Sequence, residues 1–163
     1  MAYPDLTDLI SRVRDRLNEA TASFYSDAQI TRWLNSGEND VATKSLCYES
    51  IQSKSTSNGA RTVAVTAIKV HHVEYVPTGT NLGLIKINPL QLGHLPTDGV
   101  TPQYWFQWGQ VIGIEPKPTA TYTLNVYTSI FPTVALAAGT SEPAISPEFI
   151  PLMIDFAVFC GLI

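Results

Sequence analysis

A chain of 163 residues with net charge −4 and two cysteines is long enough to bury roughly 68–70% of its unfolded surface around one core, without disulfides or a structural metal. Residues 1–60 hold six Lys/Arg against eight Asp/Glu, and residues 61–163 hold four against six. Nucleic-acid binding driven by counterion release needs clustered positive charge, so this balance argues against a sequence-reading DNA or RNA protein.

The start, Met1-Ala2-Tyr3-Pro4-Asp5, has no basic region followed by an apolar run, and a secretory leader is not expected. Leu6, Leu9, Ile10, Val13 and Leu17 then repeat at the spacing of one helical stripe, with Asp8, Arg12, Asp15 and Arg16 on the other side. Asp5 or Thr7 is positioned to cap that helix. After a loop at 18–23, Ser26-Asp27-Ala28-Gln29 has the capping-box form and opens a second helix. Its apolar stripe is Ile30, Trp33, Leu34, Gly37 and Val41, continuing toward Leu46 and Tyr48. Gly37 on that stripe predicts a close crossing with the first helix.

Residues 50–59, with four serines, a threonine, an asparagine and a glycine, read as an exposed connection. From Arg61 the period becomes two. Val63 and Val65, Ile68 and Val70, then Val73 and Tyr75 pair on successive faces, with phase slips at Thr66-Ala67 and His71-His72 that a β-bulge produces. Thr78-Gly79 predicts a turn and 82–87 a further strand. Asn88 before Pro89 predicts a short helical turn ahead of Gly93.

Residues 101–128 predict a three-stranded antiparallel meander. Tyr104, Phe106 and Trp108 share one face, Ile112 and Ile114 one face of the next strand, and Tyr122, Leu124 and Val126 one face of the third. Gly109-Gln110 fits a two-residue II′ turn, and Pro116-Lys117-Pro118 a rigid corner. On this reading Trp105 and Gln107 face outward. The loop 131–147 leads to a last helix starting near Ser146-Pro147 or at Pro151. That helix is apolar on every side, with Asp155 its only charge after Glu148. It is too short and interrupted to span a bilayer and must be covered all round, either by further chain or by a neighbour.

Catalytic motifs are missing from the sequence: it has no GxSxG, HExxH, P-loop or GxGxxG. Cys47 and Cys160 have no metal-type spacing and read as reduced thiols of a cytosol-made protein. His71 and His72 point to opposite faces of a strand and cannot share one ion, while His72 and Glu74 share a face. No cofactor or metal is expected. Trp105, Phe106 and Trp108 have the composition of a stacking platform for a glycan, although core or interface packing is the commoner fate of such residues. Only ten charged residues lie in the 103 from Arg61 onward, which suits packing against other protein.

In this order the segments resemble the head-tail adaptor (connector) proteins of tailed bacteriophages. The similarity rests on LTDLISRVRDRLNE from Leu6, SDAQITRWLNSGENDVAT from Ser26, IKVHHVEYV from Ile68, TPQYWFQWGQVIGIEPKPTATYTLNVYT from Thr101 and SPEFIPLMIDFAVF from Ser146. The expected class is α+β: an N-terminal helical pair and a C-terminal helix form a helical body (1–49 and 146–163), an antiparallel β meander domain (60–128) is inserted between them, and 50–59 and 129–145 are connections. The resemblance implies a non-enzymatic structural protein of the virion neck, assembled in the host bacterial cytoplasm. Its partners would be the portal protein, neighbouring subunits in a ring that is usually dodecameric, and a downstream tail or neck protein. DNA would pass through the lumen without sequence-specific binding, and no membrane is involved. Phe156, Phe159, Leu162 and Ile163 are the residues expected to contact portal or neighbour. Relatives often carry a further segment past the position of Ile163. A glycan- or receptor-binding β module is the competing reading, and a neck stopper (head-completion) protein the nearer one.

Overall fold

The computed structural model describes residues 3–19, 21–22, 24–77, 81–95 and 101–163; the turn expected at Thr78-Gly79 and parts of the 18–23 loop lie outside them. The class is α+β. In chain order the elements are α1 (Leu6–Leu17), α2 (Asp27–Ser45), β1 (Glu49–Ser55), β2 (Thr62–Ala64), β3 (Lys69–Val76), β4 (Leu82–Gly83), β5 (Ile85–Lys86), a 3-10 turn (Pro89–His94), β6 (Tyr104–Trp108), β7 (Val111–Glu115), β8 (Thr123–Ser129), a second 3-10 turn (Pro147–Phe149) and α3 (Ile150–Leu162). Two compact units result: Met1–Tyr48 with Phe131–Ile163, and Glu49–Ile130.

In the helical unit, the sequence signals act as they should. The Asp5 side chain accepts the Asp8 amide and starts α1, and Asn18 ends it in the left-handed conformation at φ 56°. Ser26 and Gln29 form the reciprocal capping box of α2. The stripes of both helices close on α3 around Leu9, Val13, Ile30, Leu34, Met153, Ile154 and Ala157, all buried. One expectation needs correcting. A Cβ on Gly37 would stand 2.9 Å from the Met153 carbonyl and 3.2 Å from the Phe156 ring, so the glycine admits α3, not α1. The sequence spacing shows that something approaches closely there, but the partner is set by distant chain.

Residues 131–145, which precede α3, form no regular element and are held by side chains. Asn35 donates to the Leu136 carbonyl at 3.0 Å and accepts its N–H at 2.8 Å, copying one rung of a ladder. The Gly139 and Ser141 carbonyls accept the Thr7 and Leu6 amides at the open end of α1. Glu38, 1% exposed, accepts the Ala144 amide at 2.6 Å. Burial pushes its carboxyl above the usual range, against the pull of the backbone hydrogen bonds from Ala144 and Ile145.

In the second unit, two four-stranded sheets, ordered β1-β8-β3-β4 and β2-β7-β6-β5, contribute to one core that includes Val70, Val73, Trp105, Ile112, Ile114, Leu124 and Val126. Among the described residues every pairing is antiparallel except β5 with β6. The expected meander is therefore corrected. β6 and β7 form the hairpin, with Trp108 opposite Val111 across Gly109-Gln110 and Gly109 at φ 58°. β8 instead joins the other sheet between β1 and β3. Pro116 and Pro118 between β7 and β8 have no N–H to continue a ladder, and alternation alone does not say which neighbour a strand takes.

The supposed connection 50–59 begins as β1, paired along its length with β8. As an edge strand it needs only a half-buried face, so a serine-rich sequence suffices. The strand expected over 82–87 is two short pieces, β4 and β5, in different sheets. The bulge is found where His71 disrupts the β3–β8 register between Val70 and His72, whereas the earlier slip at Thr66-Ala67 is the break between β2 and β3.

Phe106 sits opposite Gly113 in the hairpin, and a Cβ on that glycine would stand only 1.9 Å from the Phe106 ring. Gly113→Ala is thus expected to cost about 1–3 kcal/mol of stability, read by denaturant unfolding under tryptophan fluorescence, with Phe106→Leu in the same chain recovering part of it; unchanged stability would contradict this packing. For Glu38 the folded state holds its proton to higher pH than the unfolded chain, so this group's contribution falls as pH rises from about 4.3 toward and through the raised folded value. The stability of the native chain relative to Glu38→Gln should accordingly decline over that window in thermal melts, and a flat difference would refute the assignment.

Candidate functional site

A helix that is apolar all round must divide its surface between its own fold and something else. On α3 the buried side is Ile150, Met153, Ile154, Ala157 and Gly161. Gly161 permits that contact, since a Cβ there would come within 3.1 Å of Leu17 and 3.3 Å of Trp33. The opposite side leaves Leu152 53%, Phe159 62%, Leu162 74% and Ile163 89% exposed. Of the four residues expected to make contacts, Phe156 is half-buried and reaches the α2 surface at Gly37, while Phe159, Leu162 and Ile163 are exposed. Leu152 stands at i−4 from Phe156, which extends one helical stripe through 152, 156, 159 and 163.

Sequence periodicity missed Phe24, 86% exposed, because it lies in a loop with no period to reveal it. Phe24 and Leu162 line one concavity of about 350 Å³ with Leu17, Tyr25 and Gly161. Side chains of α1 and of Glu19 hold the backbone at Phe24 and Tyr25. Glu19 Oε1 accepts the Phe24 and Tyr25 amides at 2.6 and 3.1 Å. Arg14, only 8% exposed, donates to the Tyr25 carbonyl at 2.9 Å and pairs with Asp27 at 2.6 Å. Tyr25 donates its hydroxyl to the Gly161 carbonyl at 2.5 Å and meets Trp33 edge-on, centroids 5.1 Å apart. Arg16 pairs with Asp155, the only charge on α3. With its backbone amide already bound, Phe24 has less backbone freedom to lose when a partner covers its ring.

Elsewhere the stacking platform breaks up. Trp105, expected to face outward, is 1% exposed and belongs to the core; β6 is buried on both faces, so alternation did not single out the inward one. Trp108, at the hairpin tip, is 68% exposed. His71 Nε2 lies 2.6 Å from the Ser129 hydroxyl, and His72 Nε2 is 3.8 Å from Glu74. The Tyr127 hydroxyl donates to Glu74 at 3.0 Å, a bond that with burial raises the phenol's pKa. Among the described residues no group of three or more His, Cys, Asp or Glu is placed to hold a metal ion, and no helix is long and apolar enough to cross a membrane. Cys47 and Cys160 are free thiols, both half-buried.

Of the three tryptophans, Trp108 alone should be readily quenched by acrylamide; Trp108→Phe is expected to remove most of the quenchable emission, and quenching that survives the substitution would contradict the hairpin geometry.

Residues 4–162 match the family described as SU10 adaptor protein. No curated protein matches the chain.

Proposed function

The chain belongs to the SU10 adaptor protein family, a family of phage head-tail adaptors, and from that premise we propose that it docks beneath the portal through the exposed stripe of α3. On this reading the protein is a structural component of the virion neck that performs no bond chemistry. Copies assemble as a ring, dodecameric in keeping with a portal, extend the DNA channel and present a platform to the next tail or neck protein. The observation that carries the reading is the uncovered apolar surface of Leu152, Phe159, Leu162 and Ile163, with Phe24 beside it.

Burying a large apolar side chain fully is worth roughly 1.5–3 kcal/mol, so a few such residues on each subunit, repeated around a ring, supply ample adhesion. An overall acidic chain, net charge −4, repels the polyanion that would pass through a lumen. Trp108 is the observation favouring a glycan-binding module. It stands without Trp105, which is buried, and a single exposed ring is a small platform for a sugar chain.

Phe159→Asp should leave thermal stability within about 0.5 kcal/mol of the native chain, as a surface substitution, and weaken co-sedimentation with the cognate portal by about 2 kcal/mol or more. Portal occupancy equal to the native chain's would show that α3 is not the dock.

A further inference from the structure

In the unit Glu49–Ile130 a concavity of about 770 Å³ is lined by residues that include Ile68, Lys86, Asn88, Pro89, Gln107 and Gln110. Its polar groups are unusually one-sided. Gln107 Oε1 accepts the Val70 amide at 3.3 Å while its Nε2 donates to the Gly109 carbonyl at 3.1 Å. Gln110 Oε1 accepts the Ala67 amide and its Nε2 donates to the Ala67 carbonyl, both at 3.0 Å. A backbone N–H can only donate, so both amides have fixed orientations, and each NH₂ keeps a second N–H. Asn88 likewise commits its oxygen to the Leu90 amide at 3.0 Å, which leaves its NH₂ group.

Lys86 completes the set. Its Nζ lies 4.9 Å from the centroid of the Trp105 ring, and among the described residues it forms no ion pair. No aspartate or glutamate lines the concavity among those residues. The side chains there thus offer one ammonium and three amide donors, with the amide oxygens turned to the protein's own backbone.

We propose that this concavity is a carboxylate-binding site, in which Lys86 supplies the charge and the amides of Asn88, Gln107 and Gln110 supply directed donors. A carboxylate is a planar monoanion with about four acceptor positions, which suits one cation and neutral amide N–H groups. A nucleic-acid phosphate fits less well, because a polyanion approaches a chain of net charge −4 with a single lysine to meet it here. The site lies outside α3, so its test is independent of portal docking.

Side-chain ¹⁵N–¹H resonances of Gln107 and Gln110 in the full chain are followed as sodium acetate is added, with sodium chloride and dimethyl phosphate as comparators. Acetate should shift both pairs saturably while chloride does not, and Lys86→Met, checked for folding by its backbone fingerprint, should weaken the response at least about tenfold, the value of a charge-assisted hydrogen bond. Shifts that fail to saturate, that chloride reproduces, or that survive Lys86→Met would overturn the site. An equal or stronger response to dimethyl phosphate would overturn its ligand class. Dilution without acetate separates the source of the carboxylate: resonances that move on dilution support an acidic side chain of a second copy, and resonances that stay fixed while still answering to acetate support a carboxylate from outside this chain.

Discussion

The helical unit depends on α3, a helix apolar on all sides that this unit can cover on one side only. Gly37 and Gly161 let it lie close against α2, Trp33 and Leu17, and Met153, Ile154 and Ala157 complete the core that α1 and α2 begin. That packing fixes the direction of every other residue on the helix. Phe159, Leu162 and Ile163 are exposed because Met153, Ala157 and Gly161 are not, so the surface offered to a partner is set by the same contacts that hold the unit together.

Polar groups stabilise what the apolar core does not reach. Asn35 and Glu38, three residues apart on α2, bind the backbone of Leu136 and Ala144, so these amides of a stretch without ladders are paired with side chains. Arg14 and Glu19 do the same for the loop bearing Phe24. Arg14 and Glu19 also pair with each other, both buried, at 3.5 Å; such a pair contributes modestly to net stability, because desolvation offsets its attraction, and its consequence here is the backbone position of Phe24 and Tyr25. In the other unit the ring of Phe106 over Gly113 and the amide clamps of Gln107 and Gln110 serve similar ends.

What the sequence made legible was local. Asp5, the Ser26/Gln29 box and Asn88 are caps whose hydrogen bonds span three residues or fewer, and each forms as expected. The Gly109-Gln110 hairpin and the bulge at His71 follow from spacing alone. Choices among distant partners were not legible: whether Gly37 meets α1 or α3, and whether β8 continues beside β7 or crosses to β1 and β3. The inward turn of Trp105 was hidden because Phe106 beside it is buried as well. At the candidate surface, Phe159, Leu162 and Ile163 could be chosen from the unbroken apolar run of the last helix, whereas Phe24 depends on a buried arginine and glutamate that no periodic pattern displays.

Hydrogen–deuterium exchange and carbene footprinting of the chain alone and bound to its portal test whether α3 is the docking surface. Carbene labelling of Leu152, Phe159, Leu162, Ile163 and Phe24 is expected in the free chain and its loss in the complex, together with slower amide exchange along α3. Labelling of those residues that is equally strong in the complex, with protection appearing elsewhere, would contradict docking through α3.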